Sequence, residues 1–363
     1  MDLVVRTWEE WCRVFNKVNV WRPLVEAICK RHDLPMGEIR PGFEGTNAVF
    51  VVGERVVVKI VSPFFPGDYE RELEVYHLLA DKFQSTTRQV SIHYNRSEDR
   101  NLSATTIKGE IETCLEGDEE LLTPRVLAEG VLEGTQRWPY MVLSLLPGER
   151  LGEVWAAVPR EEQLAIAWRL GEMIRRLHEQ PLGAIRSMNT DPKVWEGFVR
   201  TQIERAPEHF CRQGLPGHLL DSLSGYLAKL LPLYPVDMRP CLLSADLTED
   251  HVLLDLVDGH WQISGLIDFG DAEVGHADFD FCVVHLWCFH IDQELTGAFL
   301  GGYGYHPDER FNERMMGYSL LHRFADMRPW LKELGGAERV RSWEQLQQYL
   351  WRVSLRGSEC SGR

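Results

Sequence analysis

Hydrophobic positions along the chain change period several times. Residues 8–33 carry Trp and Leu among charges and predict one or two helices. Two β-branched runs, 47–52 and 55–60, flank Gly53-Glu54 and predict a hairpin. Tyr69, Leu73, Tyr76, Leu79 and Ala80 recur at helical spacing over 69–80. Residues 84–120 are polar and aperiodic and predict an inserted loop, because nothing there buries enough apolar surface to offset ordering. Strand patterns return at 125–128 and 140–146, the second ended by Pro147-Gly148. From 151 onward the pattern is mostly helical. Its clearest stretch is 161–180, with Leu164, Ala167, Leu170, Ile174 and Leu177 on one stripe and Pro181 beyond its end. Residues 241–272 interrupt it with a small β insert turning at Asp258-Gly259. Aromatic runs at 281–289 and 343–351 predict core helices.

This order predicts an α+β protein of two lobes with a cleft between them. Residues 1–40 form an N-terminal helical segment, 41–146 a β-rich lobe carrying the 84–120 insert, and 147–363 a helical lobe. At 363 residues with 12 Trp, 15 Phe and 10 Tyr, the chain is long enough to bury a large core. The net charge of −16 argues against a nucleic-acid-coating protein and suits attraction of cationic small molecules. No run of eighteen apolar residues predicts a membrane span, and the first ten residues lack the basic region and apolar run of a secretory leader. The eight cysteines are scattered without a Cys-x-x-Cys pair, which predicts reduced thiols in a cytoplasmic protein. His285 and His290, five apart, do not share a helical face as a zinc pair would, and there is no Gly-x-Ser-x-Gly elbow for a hydrolase.

Candidate chemistry gathers at a few polar residues beside apolar runs. Asp246 follows Cys241-Leu242-Leu243-Ser244-Ala245, and Asp268 follows Leu266-Ile267. A carboxylate beside a buried run is desolvated and needs a partner, such as a divalent cation or a substrate proton. Lys59 interrupts a strand, either facing inward toward an anion or outward from an edge. Glu72 lies four residues before Tyr76 and seven before Leu79, along the inward stripe of its helix, and suggests a partner for Lys59. Gly45-Thr46-Asn47 precedes the first strand, where backbone N–H groups could meet a phosphate.

Glycine loop, strand lysine, helix glutamate, linker, loop aspartate and Asp-Phe-Gly, in that order, form the layout of a phosphoryl-transfer enzyme. Over roughly 40–290 the chain resembles the aminoglycoside phosphotransferase family of the kinase-like superfamily. The best motifs are Ser244-Ala245-Asp246-Leu247-Thr248-Glu249-Asp250-His251 and Ile267-Asp268-Phe269-Gly270-Asp271. The resemblance implies a two-lobed protein-kinase-like fold and ATP- or GTP- and Mg²⁺-dependent transfer to a hydroxyl of a small molecule. It implies that Gly45, Thr46, Asn47 and Lys59, held by Glu72, contact the phosphates. Ser144 and Leu146 would meet the base through their backbones, Asp246 would accept the hydroxyl proton, and Asp268 would bind magnesium. Asp280 and Ser244 would be structural. Two positions depart from the family pattern: Ser244 stands where histidine is usual and His251 where asparagine is usual. His251 is then a metal ligand, a phosphate contact, or the sign of a lost second metal site. Glu249, Asp250, Asp271, Glu273 and Asp278 either line an acceptor site for a polycation or are solvated loop acids. The alternatives are a nucleotide-binding pseudokinase or partner-binding protein, and a kinase of sugars or amino alcohols. A protein kinase is disfavoured because no Ala-Pro-Glu segment follows. Neither nucleic-acid nor membrane partners are expected, and the sequence does not reveal an oligomeric state.

Overall fold

The computed structural model describes residues 3–86, 122–230, 232 and 239–353. Helices α1 (Trp8–Val14) and α2 (Val18–Arg31) lead into a five-stranded antiparallel sheet. Its strands are β1 (Ile39–Pro41), β2 (Ala48–Val52), β3 (Val56–Ile60), β4 (Val126–Leu132) and β5 (Trp138–Ser144), in spatial order β1-β2-β3-β5-β4. Strand β3 is therefore interior, hydrogen-bonded to β2 on one side and β5 on the other. Its alternation divides two environments. Val56, Val58 and Ile60 join the core beneath α1 and α2, whereas Val57 and Lys59 face a cavity. The N-terminal helices are thus part of the β-rich lobe's own core, and β1 begins the sheet at residue 39, ahead of the expected boundary at 41. Trp11, Trp21 and Trp138 form that core's centre, with ring centroids 5.0–6.1 Å apart.

Helix α3 (Pro66–Thr86) buries Glu72, Val75, Tyr76 and Leu79 along one stripe, while Ala80 is exposed. The expected loop at 84–120 therefore starts too early, because 84–86 are helical; its remainder lies outside the described residues. After β6 (Glu149–Arg150) and a short α4 (Leu151–Val154), the second lobe packs α5 (Arg160–His178), α6 (Pro192–Arg212) and α7 (Gly217–Leu230). The β insert is two separate pieces. Strands β7 (Cys241–Leu243) and β10 (Glu273–Gly275) form a ribbon, and β8 (Val252–Val257) and β9 (His260–Leu266) form a hairpin that also pairs β6. Asp258 and Gly259, both at positive φ, make its turn. The expected helix over 281–289 is broken. After α8 (Asp278–Val283) a π-helical turn runs from Val284 to Cys288, and His290 and Ile291 take positive φ. His285 is buried there between Thr296 Oγ1 and the Leu350 carbonyl. Helices α9 (Gln293–Tyr303), α10 (Phe311–Leu321), α11 (Arg328–Glu333) and α12 (Trp343–Leu350) complete the lobe. No helix of the described residues is long and apolar enough to cross a membrane, and their six cysteines are free thiols.

Trp138 bridges both neighbouring tryptophans, so Trp138→Ala leaves a cavity that the rigid sheet cannot close. A loss of about 3–5 kcal/mol is expected in urea unfolding followed by tryptophan fluorescence.

Candidate functional site

The cavity between the lobes has a volume of about 520 Å³, in the range of small-molecule sites. Gly45, Lys59, Ser144, Leu146, His251 and Asp268 are among the residues lining it. Asp250 also lines it, whereas Asp246, Asp271 and Glu273 lie outside its lining.

Lys59 is the junction. Its Nζ lies 2.7 Å from Glu72 Oε2 and 2.9 Å from Asp268 Oδ1. Burial alone would pull the ammonium down, but Asp268 and Glu72 reverse this and hold it above an ordinary lysine. Burial pushes Glu72 up, against Lys59, to about 7. For Asp268, burial is outweighed by Lys59 and His251, which hold it at about 2 and keep it ionised. Asp268 sits at φ +62°, a left-handed conformation held from two sides. Its N–H donates to Tyr76 Oη at 3.2 Å, and Gly270 N–H donates to its Oδ1 at 3.3 Å. Phe269 packs edge-on against Tyr76 beneath it. Tyr76 was legible only as a core residue; nothing in the sequence marks its hydroxyl.

The loop leaving β7 carries Asp246. Asp280, fully buried at the start of α8, accepts the N–H groups of Ser244 (2.9 Å) and Ala245 (2.8 Å) and pairs with His178 Nε2 at 3.0 Å. Ser244 therefore takes part through its backbone. Burial pushes the Asp246 carboxyl up to about 7; His251 and Arg323 oppose the rise, Asp271 and Asp268 add to it. His251 Nδ1 meets the Asp246 carbonyl, which only accepts, so Nδ1 carries a hydrogen and donates.

Other expected residues are more committed than their spacing suggests. Asn47 lines the cavity, but its Oδ1 accepts the Ser62 N–H. Thr46 has its carbonyl held by Trp11 Nε1 at 2.8 Å. A Cβ at Gly45 would meet nothing within 4 Å, so close packing at that atom does not demand glycine. Arg125 N–H donates to Ser144 Oγ, which leaves the Ser144 carbonyl without that donor. Four of the five acidic residues face a guanidinium. Arg150 pairs Asp250 at 3.0 Å and lies over the Phe43 ring, and Arg323 pairs Asp271 at 3.0 Å and Glu273 at 3.6 Å. His290 pairs Glu249 at 2.8 Å. Asp278 is no surface acid at all; it is fully buried and bound by Arg314 at 3.0 Å.

Residues 38–314 match the model of the phosphotransferase enzyme family. Over 187 residues the chain is 27% identical to a viomycin phosphotransferase of Streptomyces vinaceus, covering 49% of this chain and 59% of that protein. It is 29% identical over 216 residues to an aminoglycoside 3'-phosphotransferase of Streptomyces ribosidificus, covering 55% and 73%. The solved GDP complex of aminoglycoside 2'-phosphotransferase-IIIa superposes with a TM-score of 0.60 at 19% identity, covering 90% of this chain and 97% of that one.

Asp246 yields a stability test. A carboxyl raised in the folded state keeps its proton above pH 3.8, where the unfolded chain has released it, so stability falls as pH rises from about 4 to about 7. Asp246→Asn removes this loss. Its melting temperature is expected to exceed that of the unsubstituted protein at pH 8, with the gap closing as pH approaches 4.

Proposed function

The chain belongs to the phosphotransferase enzyme family, and we propose that it transfers the γ-phosphoryl group of ATP or GTP to a hydroxyl of a small molecule. The observation that carries this reading is the meeting of Lys59, Glu72 and Asp268 at one side of a cavity of nucleotide size, with the Asp246 loop beside it.

In this reading the Lys59 ammonium, held by Glu72, binds the phosphates. The loop at 43–47 covers them, and Ser144 C=O and Leu146 N–H meet the base edge. The donor set fits Mg²⁺, which is usually bound through one or two carboxylates together with substrate phosphates. Asp268 is ionised and both of its bonds fall on Oδ1, which leaves Oδ2 for the cation; a neutral His251 ring would offer Nε2. Bound there, Mg²⁺ would neutralise charge on the phosphate oxygens. Asp246 orients the acceptor hydroxyl and takes its proton, for which a carboxyl near pKa 7 is well matched. Catalysis is then mainly positioning and charge neutralisation, as expected for a loose phosphoryl-transfer transition state.

The acceptor is proposed as an aminoglycoside- or viomycin-like hydroxyl compound, supported by the names of the relatives. The local acids support this less, since Asp250 and Asp271 already pair with arginines that a cationic acceptor must displace.

Release of ADP or GDP is to be measured with kanamycin and with viomycin, with Mg²⁺ and either nucleotide. Turnover with at least one pair is expected; absence of both nucleotide binding and turnover overturns the reading. Below pH 7, kcat/KM is expected to fall about tenfold per unit as Asp246 takes up its proton. Asp246→Asn is expected to lower kcat by at least about 100-fold while nucleotide affinity holds within about twofold. His251→Ala is expected to raise the Mg²⁺ concentration for half-maximal turnover, measured at saturating nucleotide.

A further inference from the structure

Ala245, the residue before Asp246, has φ +60°, which an L-residue adopts only when its surroundings impose it. Its N–H donates to Asp280 Oδ1. Its carbonyl accepts a hydrogen bond from Nε2 of His322 at 3.0 Å. That carbonyl and the N–H of Asp246 belong to one planar peptide unit, so the bond from His322 sets the plane from which Asp246 departs.

His322 follows α10, beyond the residues the family model matches. It is 3% exposed. Its ring lies between Phe279 and Trp287, with centroids 4.7 and 5.3 Å away, so it has little room to turn. The Trp287 carbonyl accepts the N–H of Glu249, three residues past Asp246, so the same wall steadies the far side of the loop. His322 Nδ1 accepts the Phe324 N–H at 3.2 Å. With Nδ1 accepting and Nε2 facing a carbonyl, only the neutral ring with its hydrogen on Nε2 satisfies both partners. Burial, with Arg323 beside it, holds the ring down at about 4, consistent with that form.

We propose that His322 is a positioning residue for Asp246: by donating to the Ala245 carbonyl it holds the strained peptide that aims the carboxylate at the acceptor. Asp280 fixes the N–H groups of Ser244 and Ala245, and His322 fixes the next peptide along. The proposal rests on the catalytic reading of Asp246, and the test separates the two.

The probe is hydrolysis of Mg–ATP and Mg–GTP, with water as acceptor, by the full chain carrying His322→Leu, His322→Gln or Asp246→Asn. Leucine and glutamine have similar size, but only glutamine keeps an N–H donor near the Nε2 position. The leucine variant is expected to lose on the order of 100-fold in kcat, the scale of a misplaced reacting group, with nucleotide KM within about twofold. Glutamine is expected to recover at least about tenfold of that loss at an equal melting temperature. No hydrolysis by the unsubstituted protein, or full hydrolysis by Asp246→Asn, overturns the catalytic reading and this proposal with it. Loss in Asp246→Asn without loss in His322→Leu, or equal loss in the leucine and glutamine variants, overturns the positioning role alone. Should the leucine variant fail to fold, the histidine ¹H–¹⁵N spectrum of the unsubstituted protein decides. A neutral His322 ring protonated on Nε2 at pH 7 is expected, and a charged ring or one protonated on Nδ1 overturns the proposal.

Discussion

One ammonium group ties three parts of the chain together. Lys59 comes from the centre of the sheet, Glu72 from the helix beside it, and Asp268 from a loop of the other lobe. Moving any of them strands a charge in a poorly solvated place, at a cost of several kcal/mol. The register of β3, the facing of α3 and the left-handed turn at Asp268 are therefore coupled. The arrangement also means that a buried cation, held by carboxylates from both lobes, stands at one side of the cavity.

A second constraint acts on backbone rather than on charge. Ala245 and Asp268 are non-glycine residues at positive φ, and each neighbours or bears a carboxylate of the candidate site. Each is held by side chains from distant elements: Asp280 and His322 for the first, Tyr76 for the second. Strain of this kind persists only where the surroundings over-determine it. The aromatic packing of Phe269 on Tyr76, and of Phe279 and Trp287 on His322, does so here.

What local pattern encodes was readable in the sequence. Lys59 stands out because alternation in β3 leaves a charge on an otherwise apolar strand, and Glu72 because it shares a stripe with Tyr76 and Leu79. The hairpin turn at Asp258-Gly259 was legible from its residue types. What depends on partners far along the chain was not. The acids near the motifs looked like a free negative patch because Arg150 lies 100 residues from Asp250 and Arg323 lies 52 from Asp271. The bond from Ser62 N–H to the Asn47 amide oxygen, fifteen residues apart, also carries no mark in the sequence. The break after α8 was hidden as well, since the apolar run continues through a π turn whose His285 answers to Thr296 and Leu350. His322 follows an evenly buried helix and carries no periodic mark.

The bond from Trp11 to the Thr46 carbonyl has a consequence for the first helix. Together with Asn16 on Glu44, it ties that helix to the strip of chain lying across the cavity. Any lifting or settling of the strip must carry the indole with it or break the tether. A tag or truncation that disturbs the first turns of the protein therefore reaches the lining of the cavity.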